Sequence, residues 1–540
     1  MAAFARSPCD AGVISAAPVV VPAETRSAPW ILAATILGSG MVFVDGTAVN
    51  VALPALQRDL NATIAEVQWI VESYALFLAA LLLAAGAAGD RHGRRKIFSL
   101  GTAIFALASI WCGLAGSAFE LIVARALQGI GGALLVPNSL AIISASFDEG
   151  ARGRAIGTWS GATAITAAIG PVLGGWLIDE VSWRAVFFLN IPLALAVLAI
   201  AHRHVPESRN DAENGAPDWA GALLATFGLG GLVYGLIEAP QRGWASPDIV
   251  AALALGTATL AIFVYVERRV RNPMLPLKLF RSRTFIGANI LTFLLYAALG
   301  GGLFFLPLNL IQVQGYSATA AGAALLPFIL LVFLLSRWAG GLVETYGQRL
   351  PLVVGPVIAG LGYLLFAAPS VGGSYWTAVF PGAFVLGLGM AVSVAPLTTT
   401  VMNAVEKRFA GTASGINNAS SRVAALLAVA LFGIVMTAVF NAALDRALVR
   451  INLSPPAVET IAQQRDKLAA IELPATIEPE ARAAAQHAIG EAFVSGYRWI
   501  MVMSALLCFA SAAAAGLMIG GTHAGASGDP RAPASSHGIS

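Results

Sequence analysis

The sequence predicts an all-α integral membrane protein with fourteen membrane-spanning helices. Three observations predict it. The chain of 540 residues is 57% hydrophobic and only 11% charged, whereas soluble domains carry about 25% charged residues. Its apolar runs recur at lengths of 18 residues or more, enough to cross a bilayer as helices. The runs are continuous, where the strands of a membrane barrel would alternate over about 10 residues.

Residues 1–29 are small, polar and proline-bearing, and form a tail before the first span. They hold no basic start followed by an apolar core, so no cleavable signal is expected. The predicted spans are 30–52, 68–89, 97–117, 119–142, 153–178, 184–202, 218–238, 247–268, 284–308, 317–337, 350–369, 375–400, 411–437 and 494–520. Residues 438–493 break the pattern with Pro455, Pro456, Pro474 and Pro479. They read as an external loop with one or two amphipathic helices, a spacer or a partner-binding segment. Residues 521–540 form a second tail.

Lysine and arginine set the orientation, because cytoplasmic loops are enriched in them. With the N-terminus inside, 21 of the 32 basic residues fall in inside tails and loops and 3 in short outside loops. Both termini are therefore expected in the cytoplasm. Net charge is +3, too small to argue for a nucleic-acid partner. Cys9, Cys112 and Cys508 cannot build a disulfide framework and read as free thiols.

The chain repeats itself. Gly86-x-x-x-Asp90-x-x-Gly93-x-Arg95 after the second span returns as Gly340-x-x-x-Glu344-x-x-Gly347-x-Arg349 after the tenth, at a constant offset of 254 residues. A weaker echo, slipped by one residue, pairs Gly129-Ile-Gly131 and Pro137 with Gly387-Leu-Gly389 and Pro396. Many secondary transporters are built from repeated halves, with the site at their interface. The division is then 30–202 for the first six-helix bundle, 203–283 for linkers and two inserted helices, and 284–520 for the second bundle.

Within Gly86–Lys96, Arg91, Arg94, Arg95 and Lys96 follow a helix C-terminus, where cations are favoured. Asp90 is unfavourable there and needs a partner elsewhere. The N-terminus of span 13 at Gly411-Thr412-Ala413-Ser414 offers one, and that contact would latch the cytoplasmic side shut. Gly86 and Gly93 permit close approach and a tight turn. In span 5, Gly157, Gly161, Gly170, Pro171, Gly174 and Gly175 make a small-residue face suited to backbone-to-backbone packing.

Four ionisable residues lie inside spans: Asp45, Glu72, Arg125 and Arg422. Such residues are costly, and each is a functional hypothesis. Asp45 is placed about 8 residues, roughly 12 Å, from the outer end of its span, Glu72 about 5 residues in, and Arg125 about 6. Two acids facing one arginine would leave one carboxylate with a movable proton. A structural ion pair is the other reading of Asp45 and Arg125, a solvated cap that of Glu72, and structural hydrogen bonding that of Arg422.

These strings together resemble the major facilitator superfamily, and within it the fourteen-span drug:proton antiporters. The resemblance covers roughly residues 30–520. Gly86–Lys96 looks like the superfamily's loop 2–3 signature. Leu121-x-x-x-Arg125-x-x-Gln128-Gly129-x-Gly131 resembles its helix 4 signature, and Gly157 to Gly175 its antiporter signature, with Thr166 where a further glycine is usual. Val44–Pro54, Trp183-Arg184 with Phe187, Asn190 and Pro192, Ala395-Pro396-Leu397, and Gly411–Asn418 are similar to strings of the fourteen-span group.

The resemblance implies a two-bundle (6 + 6) fold with two extra helices between the halves. It implies alternating access, and efflux of drugs or other small lipophilic compounds driven by a proton gradient without a bound cofactor. Arg125 is then the coupling arginine and Asp45 the helix 1 acid. Implied partners are a small-molecule substrate, protons and the bilayer of a bacterial inner membrane, with a periplasmic adaptor left open. An importer, or an exporter of metabolites or siderophores, shares the fold. An enzyme is not expected, because the sequence holds no His-Glu-x-x-His, no Gly-x-Ser-x-Gly and no phosphate-binding loop ending in Lys-Ser/Thr. No metal site is expected either, since His202 and His204 are a lone pair at a helix end.

Overall fold

A computed structural model describes residues 27–209, 218–270, 273–406, 409–451, 455–474 and 477–520. Most of the N-terminal tail with Cys9, the C-terminal tail, and Lys407 and Arg408 lie outside the described residues. Among the described residues, fourteen helices are long and apolar enough to cross a membrane. In chain order they are α1 (Ala28–Asp59), α2 (Ile64–His92), α3 (Arg94–Leu114), α4 (Ala118–Ser146) and α5 (Glu149–Glu180). Then come α6 (Trp183–Phe188 and Asn190–His204), α7 (Trp219–Arg242), α8 (Pro247–Glu267), α9 (Arg283–Leu308) and α10 (Ala318–Ala324 and Leu326–Tyr346). The last are α11 (Arg349–Ala367), α12 (Phe380–Asn403), α13 (Ala410–Leu448) and α14 (Pro479–Met518).

Side chains such as Leu107, Leu114, Phe119, Leu255, Leu334 and Leu517 point outward and are more than half exposed. A contiguous apolar surface of this kind suits hydrocarbon rather than water, and helices satisfy their backbone groups within lipid. The protein is a multi-pass membrane protein. Sequence signals set the helix starts: Thr63 and Glu66 form a capping box on α2, and Ser117 and Asp148 accept from the first-turn N–H groups of α4 and α5.

Helices α1–α6 pack among themselves, as do α9–α14, while α7 and α8 pack on each other and α7 packs against α2 and α13. The two echoes in the sequence occupy matching places. In α4, Gly129 lies against the backbone of Tyr74 in α2 and Gly131 against Phe105 in α3. In α12, Gly387 lies against Phe328 in α10 and Gly389 against Ala359 in α11. In each half the same helix uses one glycine per neighbour to bring backbones together.

The structure corrects three expectations. Helix α1 continues to Asp59, so Asp45 lies deeper from the end of its helix than a span ending at 52 implied. Helix α6 breaks at Leu189, and α10 at Leu325 ahead of Pro327. Much of 438–493 is a direct extension of the membrane helices, because α13 runs to Leu448 and α14 begins at Pro479. Continuous i→i−4 bonding in Ala-rich sequence carries both beyond the apolar stretch. Between them a helix (Pro455–Gln463) and a 3-10 turn (Arg465–Ala470) fold back over the bundle. There Gln57 Nε2 donates to the Lys467 carbonyl at 3.1 Å, and Gln312 Nε2 donates to Gln57 Oε1 at 2.8 Å.

We call the end of the bundle that carries Arg91, Arg94 and Arg95 the basic end. Hydrogen bonds join the halves toward the other, far end. Gln68 Nε2 donates to the Val429 carbonyl at 2.7 Å, and Asp179 accepts from Ala318 N at 3.0 Å and from Thr319 N at 2.8 Å. Toward the basic end, Gly157 and Gly161 of α5 and Gly340 and Gly341 of α10 face open space. The seam between α5 and α10 is therefore packed at the far end and unpacked toward the basic end, while α2 and α13 meet at Leu83 and Gly415.

Candidate functional site

Asp45 on α1 and Arg125 on α4 meet inside the first half, both 1% exposed. Arg125 Nη1 donates to Asp45 Oδ2 and, at 2.6 Å, to Gln128 Oε1. Gln128 Nε2 donates to Asp45 Oδ1 at 2.8 Å, as does Asn190 Nδ2 at 3.2 Å. Ser109 on α3 accepts from Gln128 at 2.9 Å and from Asn190 at 3.3 Å. Arg125 Nε donates to the Ile70 carbonyl at 3.1 Å, and its guanidinium lies 4.1 Å from the centre of the Tyr74 ring. One carboxylate thus gathers groups from α1, α3, α4 and α6, while its arginine reaches α2. A buried pair must recover a large desolvation cost through such complete hydrogen bonding.

Local sequence places these groups. Arg125 and Gln128 are three apart on α4 and share a face. Asn190 lies just past the break at Leu189, where α6 restarts. Asn190 and Gln128 appear in the sequence only as parts of family-like strings, and Ser109 carries no local signal. The roles of Gln128 and Asn190 as ligands of Asp45, with Ser109 accepting from both, arise from the convergence of α1, α3, α4 and α6.

Glu72 does not join this group. It is 2% exposed, and its Oε2 has no hydrogen-bond partner. It shares the α2 face of Gln68, which bonds Val429 of α13, and of Leu76, which packs with Leu229 of α7 and Leu426 of α13. Among the described residues, Asp45 alone pairs with Arg125, which corrects the expected arrangement of two acids around one arginine. A solvated cap is also ruled out for Glu72, since Glu66 occupies the capping position. Arg422 is part-buried on α13, in the second half.

At the basic end, Asp90 pairs with Arg94, at 2.8 Å to Nε and 2.7 Å to Nη2. This replaces the expected contact with Gly411–Ser414 of α13. Gly86 lies 3.6 Å from Pro137 of α4 by the position of an added Cβ. Gly93 takes a φ of +109°, and a Cβ there would strike the Glu207 carboxyl, so glycine is required twice over. Arg91 is exposed.

Glu207 is a residue that the sequence did not single out. Its Oε1 accepts from Arg95 N at 3.0 Å, the Ser208 carbonyl accepts from Arg94 N at 2.9 Å, and the Val205 carbonyl from Arg95 Nη1 at 3.2 Å. The chain leaving α6 therefore supplies the acceptors for the first N–H groups of α3, which no local side chain caps. An acid beside Gly93 is visible only once residues 112 positions apart meet.

The small residues of α5 divide in two. Gly170 sits against Val44 and Thr47 of α1, Gly174 against Ala48, and Gly175 against the Ala318 carbonyl of α10. Pro171 offers its carbonyl to Gly322 of α10. Gly157 and Gly161, farther toward the basic end, have no neighbour within 4 Å of an added Cβ. The face of α5 is thus packed at the far end and unpacked toward the basic end. Cys112 and Cys508 are buried free thiols.

A model of the Major Facilitator Superfamily matches residues 35–429. The chain is 37% identical over 420 residues to the multidrug resistance protein Stp of Mycobacterium tuberculosis strain H37Rv, covering 78% of each chain. It is 36% identical to the tetracenomycin C resistance and export protein of Streptomyces glaucescens, covering 76% of each. It is 34% identical to a methylenomycin A resistance protein of Bacillus subtilis, covering 75% of this chain and 87% of that one. Among solved structures, a bacterial homologue of the human lysosomal transporter Spinster, inward-facing and unoccupied, matches with a TM-score of 0.60 at 19% identity. That match covers 91% of this chain and 98% of the other. A POT family transporter bound to 5-aminolevulinic acid matches with a TM-score of 0.59 at 15% identity, covering 77% and 91%. At such identities the two structures speak to the fold.

Proposed function

Because the chain belongs to the Major Facilitator Superfamily and is a membrane transporter, we propose that it exports small lipophilic compounds from a bacterial cell in exchange for protons. It sits in the inner membrane with both termini in the cytoplasm. The basic end is then the cytoplasmic end, and the α5–α10 seam unpacked there fits an inward-facing state. The relatives named for resistance to tetracenomycin C, methylenomycin A and puromycin support an antibiotic-like cargo.

One observation carries the coupling: a buried carboxylate, Asp45, whose two oxygens are held by Arg125 and Gln128 of α4 and Asn190 of α6. A proton on Asp45 removes the anion that Arg125 faces and frees the amides that bridge α4 and α6. The proton can then bias the bundle between two arrangements, provided it binds them unequally. Asp45 is the proton carrier in this reading, Arg125 the fixed cation, and Glu72 a second buried carboxyl at the seam between α2, α7 and α13. Asp90, Arg94, Arg95 and Gly93 form the cytoplasmic gate, and α5 is the helix along which the halves rock.

Everted membrane vesicles test this reading. With the lumen acidified, puromycin, tetracenomycin C and methylenomycin A are offered singly, with and without an uncoupler. Accumulation of at least one that collapses with the uncoupler is expected. Substrate leaving the lumen on acidification would make the protein an importer.

A further inference from the structure

Asp179 is the next-to-last residue of α5, where its own helix disfavours an anion. Its acceptors are used across the seam between the halves. Oδ1 takes Ala318 N at 3.0 Å, and Oδ2 takes Thr319 N at 2.8 Å and Thr319 Oγ1 at 2.6 Å. Ala318 and Thr319 open α10, whose first N–H groups lack intrahelical partners. The Ser317 hydroxyl caps Ala320 N, at 3.1 Å, and Asp179 supplies the acceptors for Ala318 N and Thr319 N from the other half. Immediately below, Gly175 and Pro171 of α5 lie against Ala318 and Gly322 of α10, leaving no gap for water along this stretch. Toward the basic end of the same two helices, Gly161 and Gly340 have no neighbour within 4 Å of an added Cβ.

From this we infer that Asp179 is a positioning residue of the transport cycle, a latch that holds α5 to the start of α10 and keeps the far end shut. This inference rests on the alternating-access reading above. Separating α5 from α10 at the far end requires all three hydrogen bonds to Asp179 to break together. The latch therefore sets the balance between the inward-open and outward-open states without touching cargo. It has the form expected of Asp90 at the basic end: an acid at the end of its own helix, bound to the start of a helix in the other half.

The test is a pair of spin-label distances in full-length protein in nanodiscs. Labels at Val181 and Ala320 report the far end of α5 and α10, and labels at Arg154 and Trp338 report the basic end. In Asp179→Asn, a longer far-end component and a shorter basic-end component should grow together. A shift of about tenfold in the population ratio is the size that a lost charge-assisted hydrogen bond supports. Asp179→Glu should restore most of the wild-type distribution. Ala318→Pro removes one donor while proline remains tolerated in the first helical turn, and it should move both distances in the same directions. Distances unchanged in both Asp179→Asn and Ala318→Pro would overturn the latch. Failure of the functional reading looks different, because wild-type distances would then stay fixed between acidic and neutral pH.

Discussion

Asp45 and Arg125 stand 80 residues apart in the chain and pair inside the first bundle, with Gln128 hydrogen-bonded to both. The carboxylate has no water-facing edge, so any proton reaching it must displace this network. Asp45→Asn imitates the protonated form. It should abolish uphill export in vesicles while downhill exchange survives. Either change leaves a buried charge without its partner, a loss of about 3–5 kcal/mol, but Asn still accepts from Arg125 whereas Arg125→Ala also gives up the bonds to Gln128 and the Ile70 carbonyl, so its folded yield should fall below that of Asp45→Asn. Wild-type, uncoupler-sensitive export in Asp45→Asn would move the proton to Glu72.

Glu207 and Gly93 test how the cytoplasmic gate is held. Glu207→Ala removes the acceptor at the start of α3, worth about 1 kcal/mol by analogy with a lost helix cap. Gly93→Ala meets both a φ of +109° and the Glu207 carboxyl. Relieving the clash should make the double variant less destabilised than the sum of the two, as neighbours in contact behave. Melting of the purified protein in detergent measures the cycle, and simple additivity would refute the contact.

Asp90→Asn weakens the pair with Arg94 and, in the inward-closed state, the proposed contact with α13. Transport should fall strongly while the amount of protein in the membrane stays normal. Export at the wild-type rate in that variant would remove Asp90 from the gate.

The two groups of glycines on α5 should respond differently to bulk. Gly174→Val drives a side chain into Ala48, where an added Cβ already comes within 2.6 Å, and should reduce folded yield. Gly161→Ala meets nothing within 4 Å in the open state. It should fold normally but slow transport, since that face must close in the other half of the cycle. Equal effects on yield would refute the division.

Orientation is checked by impermeant labelling of single cysteines placed at residues 210, 465 and 540. Only the one at Arg465 should react from outside in whole cells. Protection of that position would reverse the proposed topology.

Much of this was legible along the chain because it follows from local rules. A run of apolar residues long enough to span a bilayer is helical wherever it lies, and the loop arginines orient it. The repeat at an offset of 254 residues also reads directly, since each copy must serve the same turn in its own half. Acids at the ends of their own helices are visible by the same logic, but their partners are not. Asp90 holds Arg94, four residues on in its own half, rather than the start of α13. Glu207 and Asp179 carry no motif, and each gains its role from a helix start brought to it by folding.

The sequence by itself determined the fourteen helices, the two repeated halves and the presence of a buried acid and arginine in one half. Each depends on hydropathy, charge bias or spacing within a single segment. Only the tertiary structure decided that Asp45, and not Glu72, faces Arg125, and that Gln128 and Asn190 complete its coordination. It also decided which end of α5 is sealed. These are matters of helix rotation and of the tilt of one bundle against the other. Packing between distant segments sets both, and no stretch of sequence encodes either alone.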